Sequence, residues 1–130
     1  MIEGSALKGL RLLIVEDEAL VAMMIHDVIR DAGAEVIGPA ANIDAAMAAL
    51  KTHRVDGAIL DVNLAGQRVD SVADALRERK IPFLFLTGYG RSGIGERFPT
   101  AAVVTKPFDD ANLLETVGRV IVNSKRVTFG

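Results

Sequence analysis

The sequence predicts an α/β fold, a doubly wound, five-stranded parallel sheet with helices on both faces. Three observations predict it. Short apolar runs recur along the 130 residues, and most are followed by a segment with apolar residues at helical spacing. The runs are continuous rather than alternating, as in strands buried on both faces. Acidic or hydroxylated residues close several runs at their C-terminal ends, the edge where such sheets bind ligands.

Leu12-Leu13-Ile14-Val15 is the first strand. A helix is expected from about Glu18 to Ala32, where Leu20, Met24 and Val28, with Val21, Ile25 and Ala32, recur every three or four residues or multiples thereof. Gly33 suits its C-terminus. Glu35 to Gly38 forms the second strand, ending before Pro39. Asn42 then caps a helix carrying Ile43, Ala46, Met47 and Leu50 on one face. Gly57 to Asp61 is the third strand. A polar loop leads to the third helix, with Val69, Val72, Ala73 and Leu76 at the same spacing. Pro82 ends that unit, and Phe83 to Leu86 is the fourth strand.

Gly88, Gly90, Gly93 and Gly95 then crowd together before Pro99. Each glycine costs a helix ~1 kcal/mol relative to alanine, so the fourth helix is expected to be short, disordered or missing. Ala101 to Thr105 forms the fifth strand. Asp109 or Asp110 caps the last helix, with Leu113, Leu114, Val117, Val120 and Ile121 facing inward. Right-handed crossovers give the strand order 2-1-3-4-5, the flavodoxin-like (βα)5 arrangement. The expected organisation is an N-terminal extension over 1–9, one domain over 10–123 and a loose tail over 124–130.

Seventeen acidic and fifteen basic residues leave a net charge of -2, which argues against nucleic acid or an anionic membrane as partner. The absence of cysteine excludes disulfides, thiolate metal sites and cysteine nucleophiles, and suits a reducing cytoplasm. The first residues lack a secretory pattern, and no apolar stretch approaches the ~20 residues needed to span a bilayer. Met23, Met24 and Met47 read as core or helix-face residues. His26 reads as a surface residue, and His53 as a helix-end residue suited to the helix dipole.

The strand order brings Glu16, Asp17, Asp61, Thr87 and Lys106 around one crevice. Three carboxylates there repel one another, by roughly 4 kcal/mol for two charges ~4 Å apart at an effective dielectric near 20. A divalent cation relieves this, and an all-oxygen donor set favours a hard ion such as Mg2+. Lys106 and the Thr87 hydroxyl suit a phosphoryl group. A carboxylate can itself be the nucleophile, and Asp61, ending the central strand, is the candidate.

Glu16-Asp17, Asp61, Thr87 and Lys106-Pro107, in this order and strand context, resemble the response-regulator receiver domain from Leu10 to about Val122. The resemblance implies two-component signalling: Asp61 takes a phosphoryl group from a sensor histidine kinase or a histidine phosphotransfer protein. It implies direct Mg2+ ligation by Asp17 and Asp61, with Glu16 acting through water and the Asn63 carbonyl as a further ligand. It implies a cis bond after Lys106, no enzymatic activity beyond self-transfer and autodephosphorylation, and a switched surface for a downstream protein. Pro82-Phe83-Leu84-Phe85-Leu86-Thr87-Gly88-Tyr89-Gly90 looks like the single-domain FATGUY subgroup, with Leu86 in place of its alanine. That subgroup pairs with HWE-type kinases, and a stand-alone receiver is expected. The strand-five position that holds a switch Phe or Tyr in the wider family is Val103 here, which leaves Tyr89 and the glycine-rich loop as the expected moving parts.

Two rival readings share the fold. An aspartate-nucleophile phosphatase of the haloacid dehalogenase type needs an acid two residues after the nucleophile, where Asn63 stands. A flavin module needs a Ser/Thr-rich phosphate loop where Glu16-Asp17-Glu18 stands.

Overall fold

The computed structural model describes residues 6–90, 94 and 97–124. Its elements are β1 (Arg11–Val15), α1 (Ala19–Asp31), β2 (Glu35–Ala40), α2 (Ile43–Thr52), β3 (Gly57–Asp61), a hairpin of β4 (Asn63–Leu64) and β5 (Gln67–Arg68), α3 (Asp70–Glu78), β6 (Phe83–Thr87), β7 (Ala102–Thr105) and α4 (Asp110–Val117), which continues as a π-helical turn over Gly118–Val122. The main sheet is parallel in the order β2-β1-β3-β6-β7. With the small hairpin set aside, this is the predicted order, and the fold is a flavodoxin-like doubly wound sheet.

Successive side chains of a strand point to opposite faces, so each central strand serves two cores. Leu13, Val15, Ala58, Leu60 and Phe85 pack against α2 and α3, on Ala46, Leu50, Val72 and Leu76. Leu12, Ile14, Ile59, Leu84 and Leu86 pack against α1 and α4, on Ile25, Ile29, Leu113 and Val117. Burial on both faces is what makes these strands continuous apolar runs.

The predicted caps form where the side chains can reach. The Ala45 N–H donates to Asn42 Oδ1 at 2.8 Å and the Asn112 N–H to Asp109 Oδ1 at 2.7 Å. Gly33 follows α1 with φ +104°. The Lys106–Pro107 bond is cis, and so is Gly38–Pro39.

Several details differ from expectation. The loop after β3 contains the two-stranded β4–β5 hairpin, whose turn residues Ala65 and Gly66 have φ of 52° and 83°. Positive φ at both turn positions matches the right-handed twist of a tight hairpin. Leu20, in the expected apolar pattern of α1, is 69% exposed; of the two readings for Met23 and Met24, core or helix face, the helix face holds, at 58% and 44% exposure. The sheet covers only one stripe of α1, taken by Ala22, Ile25 and Ile29. Leu7 is buried, and its N–H donates to the Ala32 carbonyl at 2.8 Å, so packing begins before Leu10.

No α-helix occurs among the described residues between β6 and β7. Residues 91–93 and 95–96 of the stretch expected to hold the fourth helix, and the expected tail from 125 onward, lie outside the described residues. Phe98 packs edge-on against Phe83 and Phe85, with centroids 6.1 and 5.4 Å away.

Gly57 marks the closest approach of β3 to the π-helical turn, because a Cβ there would lie 2.7 Å from Ile121 Cγ2 and Cδ1. Gly57→Ala should therefore lower unfolding free energy by about 1–3 kcal/mol in urea titrations. Adding the same change to Ile121→Ala should cost less than adding it to the wild type, because the two positions share one space.

Candidate phosphoryl-acceptor site

Three strand ends build the site. Glu16 directly follows β1 and is 1% exposed; Asp61 ends β3 at 5%; Thr87 ends β6 at 3%. Lys106 follows β7, and its N–H donates to the Thr87 carbonyl at 2.8 Å, extending the β6–β7 pairing by one bond. The Lys106 ammonium lies 3.0 Å from Glu16 Oε1, 3.4 Å from Asp61 Oδ2 and 3.6 Å from Glu18 Oε1. The sequence-predicted Glu16, Asp61 and Lys106 thus meet.

Glu18 was not among the predicted site residues. Its carboxylate joins those of Glu16 and Asp61, all within 4.8 Å of one another. It stands at the N-cap of α1 but makes no side-chain cap bond. The three consecutive acids after β1 were the available signal for it. Asp17 stands outside this group: it is exposed, and its Oδ2 accepts the Ala65 N–H at 3.1 Å. Asn63, in β4, is exposed and pairs with Arg68 across the hairpin. Thr87 Oγ1 accepts the Tyr89 N–H at 3.0 Å, while the Tyr89 side chain is 82% exposed. His26, on α1, lies 3.3 Å from Asp27 Oδ1 and lines a cavity that also touches Glu16 and Asp17.

Burial pushes the Glu16 carboxyl up to about 7, with Asp61 adding to the rise, while Lys106 and the Glu18 N–H pull it partly back. Burial alone lowers Lys106, but Glu16 and Asp61 more than offset this, so its pKa lies above the usual lysine value. Clustered carboxylates, two of them buried, with only oxygen donors fit a hard divalent cation, which would offset the same repulsion. Glu16, Glu18 and Asp61 are the side chains placed to hold one.

Beside Asp61 a cleft of about 600 Å³ is lined by Asn63, Gly66, Arg68, Thr87 and Tyr89. A buried carboxylate at a strand end, a lysine against it and an open cleft beside it thus share one edge of the sheet. The response regulator receiver domain matches the chain over residues 12–118. The chain belongs to this family.

As a receiver it is 28% identical to the transcriptional regulatory protein PdtaR of Mycobacterium tuberculosis, over 91% of this chain and 60% of that protein. It is 32% identical to the phyllosphere-induced regulator PhyR of Methylorubrum extorquens, over 85% of this chain and 43% of that protein. The chain thus spans less than two thirds of these relatives. The solution structure of SdrG from Sphingomonas melonis Fr1 superposes with a TM-score of 0.76 at 36% identity, over 84% of this receiver and 93% of that chain. SdrG in its BeF3-activated conformation gives 0.67 over 83% and 92%. Receiver domains are signalling modules rather than enzymes, and no described helix here is long and apolar enough to cross a membrane.

A group with a raised folded-state pKa favours the folded state below its ordinary pKa, and that contribution is lost as pH rises through the folded value. Without divalent metal, stability should therefore fall as pH rises from about 4.5 to 7 by on the order of 2 kcal/mol through Glu16. Urea titrations across that range should show the slope, Mg2+ should reduce it, and Glu16→Gln should flatten it.

Proposed function

We propose that this receiver accepts a phosphoryl group on Asp61 from the phosphohistidine of a sensor histidine kinase or histidine phosphotransfer protein, in a Mg2+-dependent reaction in the cytoplasm. The observation that carries this reading is the Asp61 carboxylate itself. It is buried at the end of the central strand, yet it borders an open cleft and lies 3.4 Å from the Lys106 ammonium.

In the transfer, an Asp61 carboxylate oxygen bonds to phosphorus. The P–N bond of the donor breaks, and the imidazole leaves with that electron pair. Lys106 offsets charge on the phosphoryl oxygens, and the Thr87 hydroxyl donates to one of them once it turns from the Tyr89 N–H. Glu16, Glu18 and Asp61 already stand together for the metal; Asp17 and the Asn63 carbonyl are the further proposed ligands, and Asp17 joins once its Oδ2 turns from the Ala65 N–H. A bound Mg2+ supplies further charge neutralisation on the phosphoryl group.

The consequence is a changed protein-interaction surface around Thr87 and Tyr89. Val103 offers no aromatic ring to rotate, and Tyr89, already exposed, is the side chain placed to report the change. The HWE-type kinase expected from the Pro82–Gly90 stretch is the proposed donor, and reversal proceeds by water attack on the aspartyl phosphate.

Acetyl phosphate with Mg2+ should label the wild type, and Asp61→Asn should take no label in intact-mass spectra. Labelling that survives the substitution would sink the assignment. Lys106→Ala should slow labelling by about a hundredfold, the usual scale for losing one preorganised charge at a transferring group.

A further inference from the structure

Arg68 belongs to two structures at once. It lines the cleft beside Asp61, where it is the cation among the described lining residues. It also ties the segment before β7 to α3. Its Nη2 donates to the Ile94 carbonyl at 2.7 Å, and its Nε to Asp70 Oδ2 at 3.2 Å.

Neighbouring groups complete the tie. Arg97 pairs with the same Asp70 oxygen at 3.6 Å and with Asp74. Arg77 reaches Asp74 Oδ1 at 3.0 Å and donates to the Arg97 carbonyl at 3.2 Å. The Arg77 and Arg97 guanidinium groups stand 4.7 and 5.5 Å from the Phe98 ring centroid. Ile94 and Phe98 are buried beneath these contacts.

We propose that Arg68 is a phosphoryl-binding residue whose guanidinium exchanges the Ile94 carbonyl and Asp70 for phosphoryl oxygens on Asp61. The inference rests on Asp61 being the acceptor. Among its present partners are one neutral carbonyl and one carboxylate that Arg97 shares. A phosphoryl group offers a forked guanidinium two charged oxygens in parallel, and such bidentate pairs are the stronger ones. Arg68 sits on the short β4–β5 hairpin, which is bonded to the site through Val62, whose N–H donates to the Leu86 carbonyl at 3.0 Å. The exchange frees the Ile94 carbonyl and leaves Asp70 to Arg97 alone. Occupancy at Asp61 is thereby transmitted to the Ile94–Phe98 contacts on α3 without an aromatic switch at position 103.

Hydrogen exchange and beryllofluoride titration on wild type, Arg68→Ala and Arg68→Lys test this, with beryllofluoride and Mg2+ standing in for the phosphoryl group. In the wild type, beryllofluoride should raise amide exchange at Ile94 and Phe98 by about tenfold while shifting the Thr87 amide. Arg68→Ala should start with raised exchange at Ile94, show no further rise, still shift Thr87, and bind beryllofluoride about tenfold more weakly. Arg68→Lys should keep part of the affinity but not the coupling, because an ammonium lacks the fork. Unchanged beryllofluoride affinity in Arg68→Ala would make Arg68 a structural tether and overturn the proposal, even if Ile94 loosens. A wild type whose Thr87 shifts while Ile94 exchange stays constant overturns it too, and leaves the acceptor reading intact. No response at Thr87 in the wild type overturns both.

Discussion

Lys106 holds its ammonium between the buried carboxylates of Glu16 and Asp61, at 3.0 and 3.4 Å, on the edge where β1, β3 and β7 end. Two carboxylates this deeply buried are not tolerated without compensation, since removing a charge from water costs several kcal/mol before any pairing. The compensation is incomplete: Glu16 still titrates near 7. A residual cost of this kind is a reservoir, because whatever neutralises the cluster, a divalent cation above all, gains from relieving it. The gain on neutralisation and the cost without it are thus two aspects of one arrangement.

The sheet makes that arrangement unavoidable. Parallel strands point all their C-terminal ends the same way, so residues distant in the chain meet at one edge. The apolar bodies of β1, β3 and β6 are locked by two separate cores, and their polar ends have no freedom to move apart. Glu18 shows how strongly the site competes. It occupies the N-cap of α1, yet its carboxylate approaches Lys106 instead of capping the helix.

A second electrostatic layer surrounds the first. The hairpin after β3 carries Arg68 toward the cleft, and the Asp70, Asp74, Arg77 and Arg97 contacts hold Ile94 and Phe98 on α3. Most of these pairs are exposed enough that each contributes little to overall stability. Weak pairs suit the proposed exchange at Arg68, whereas the buried Lys106 cluster suits a fixed contact.

The sequence by itself determined the main strands and helices and which polar residues close the strands. Continuous apolar strands announced a sheet buried on both faces, and their closing residues, Glu16, Asp61, Thr87 and Lys106, announced the crevice, because strand ends in a parallel sheet share one edge. Val69, Val72, Ala73 and Leu76 named the buried face of α3 through spacing alone, and all four are buried. Only the tertiary structure decided which acids meet. Glu16, Asp17 and Glu18 are consecutive acids in the sequence, but the turn after β1 sends Glu16 inward, leaves Asp17 to the Ala65 N–H and brings Glu18, not among the predicted site residues, within 3.6 Å of Lys106. It also decided that Leu20, Met23 and Met24 face solvent, since helical spacing defines a stripe without saying how much of it the sheet will cover. Arg68 was illegible for the same reason: its partners Ile94 and Asp70 lie on two other segments, and a side chain's partner is set by packing, which periodicity does not encode.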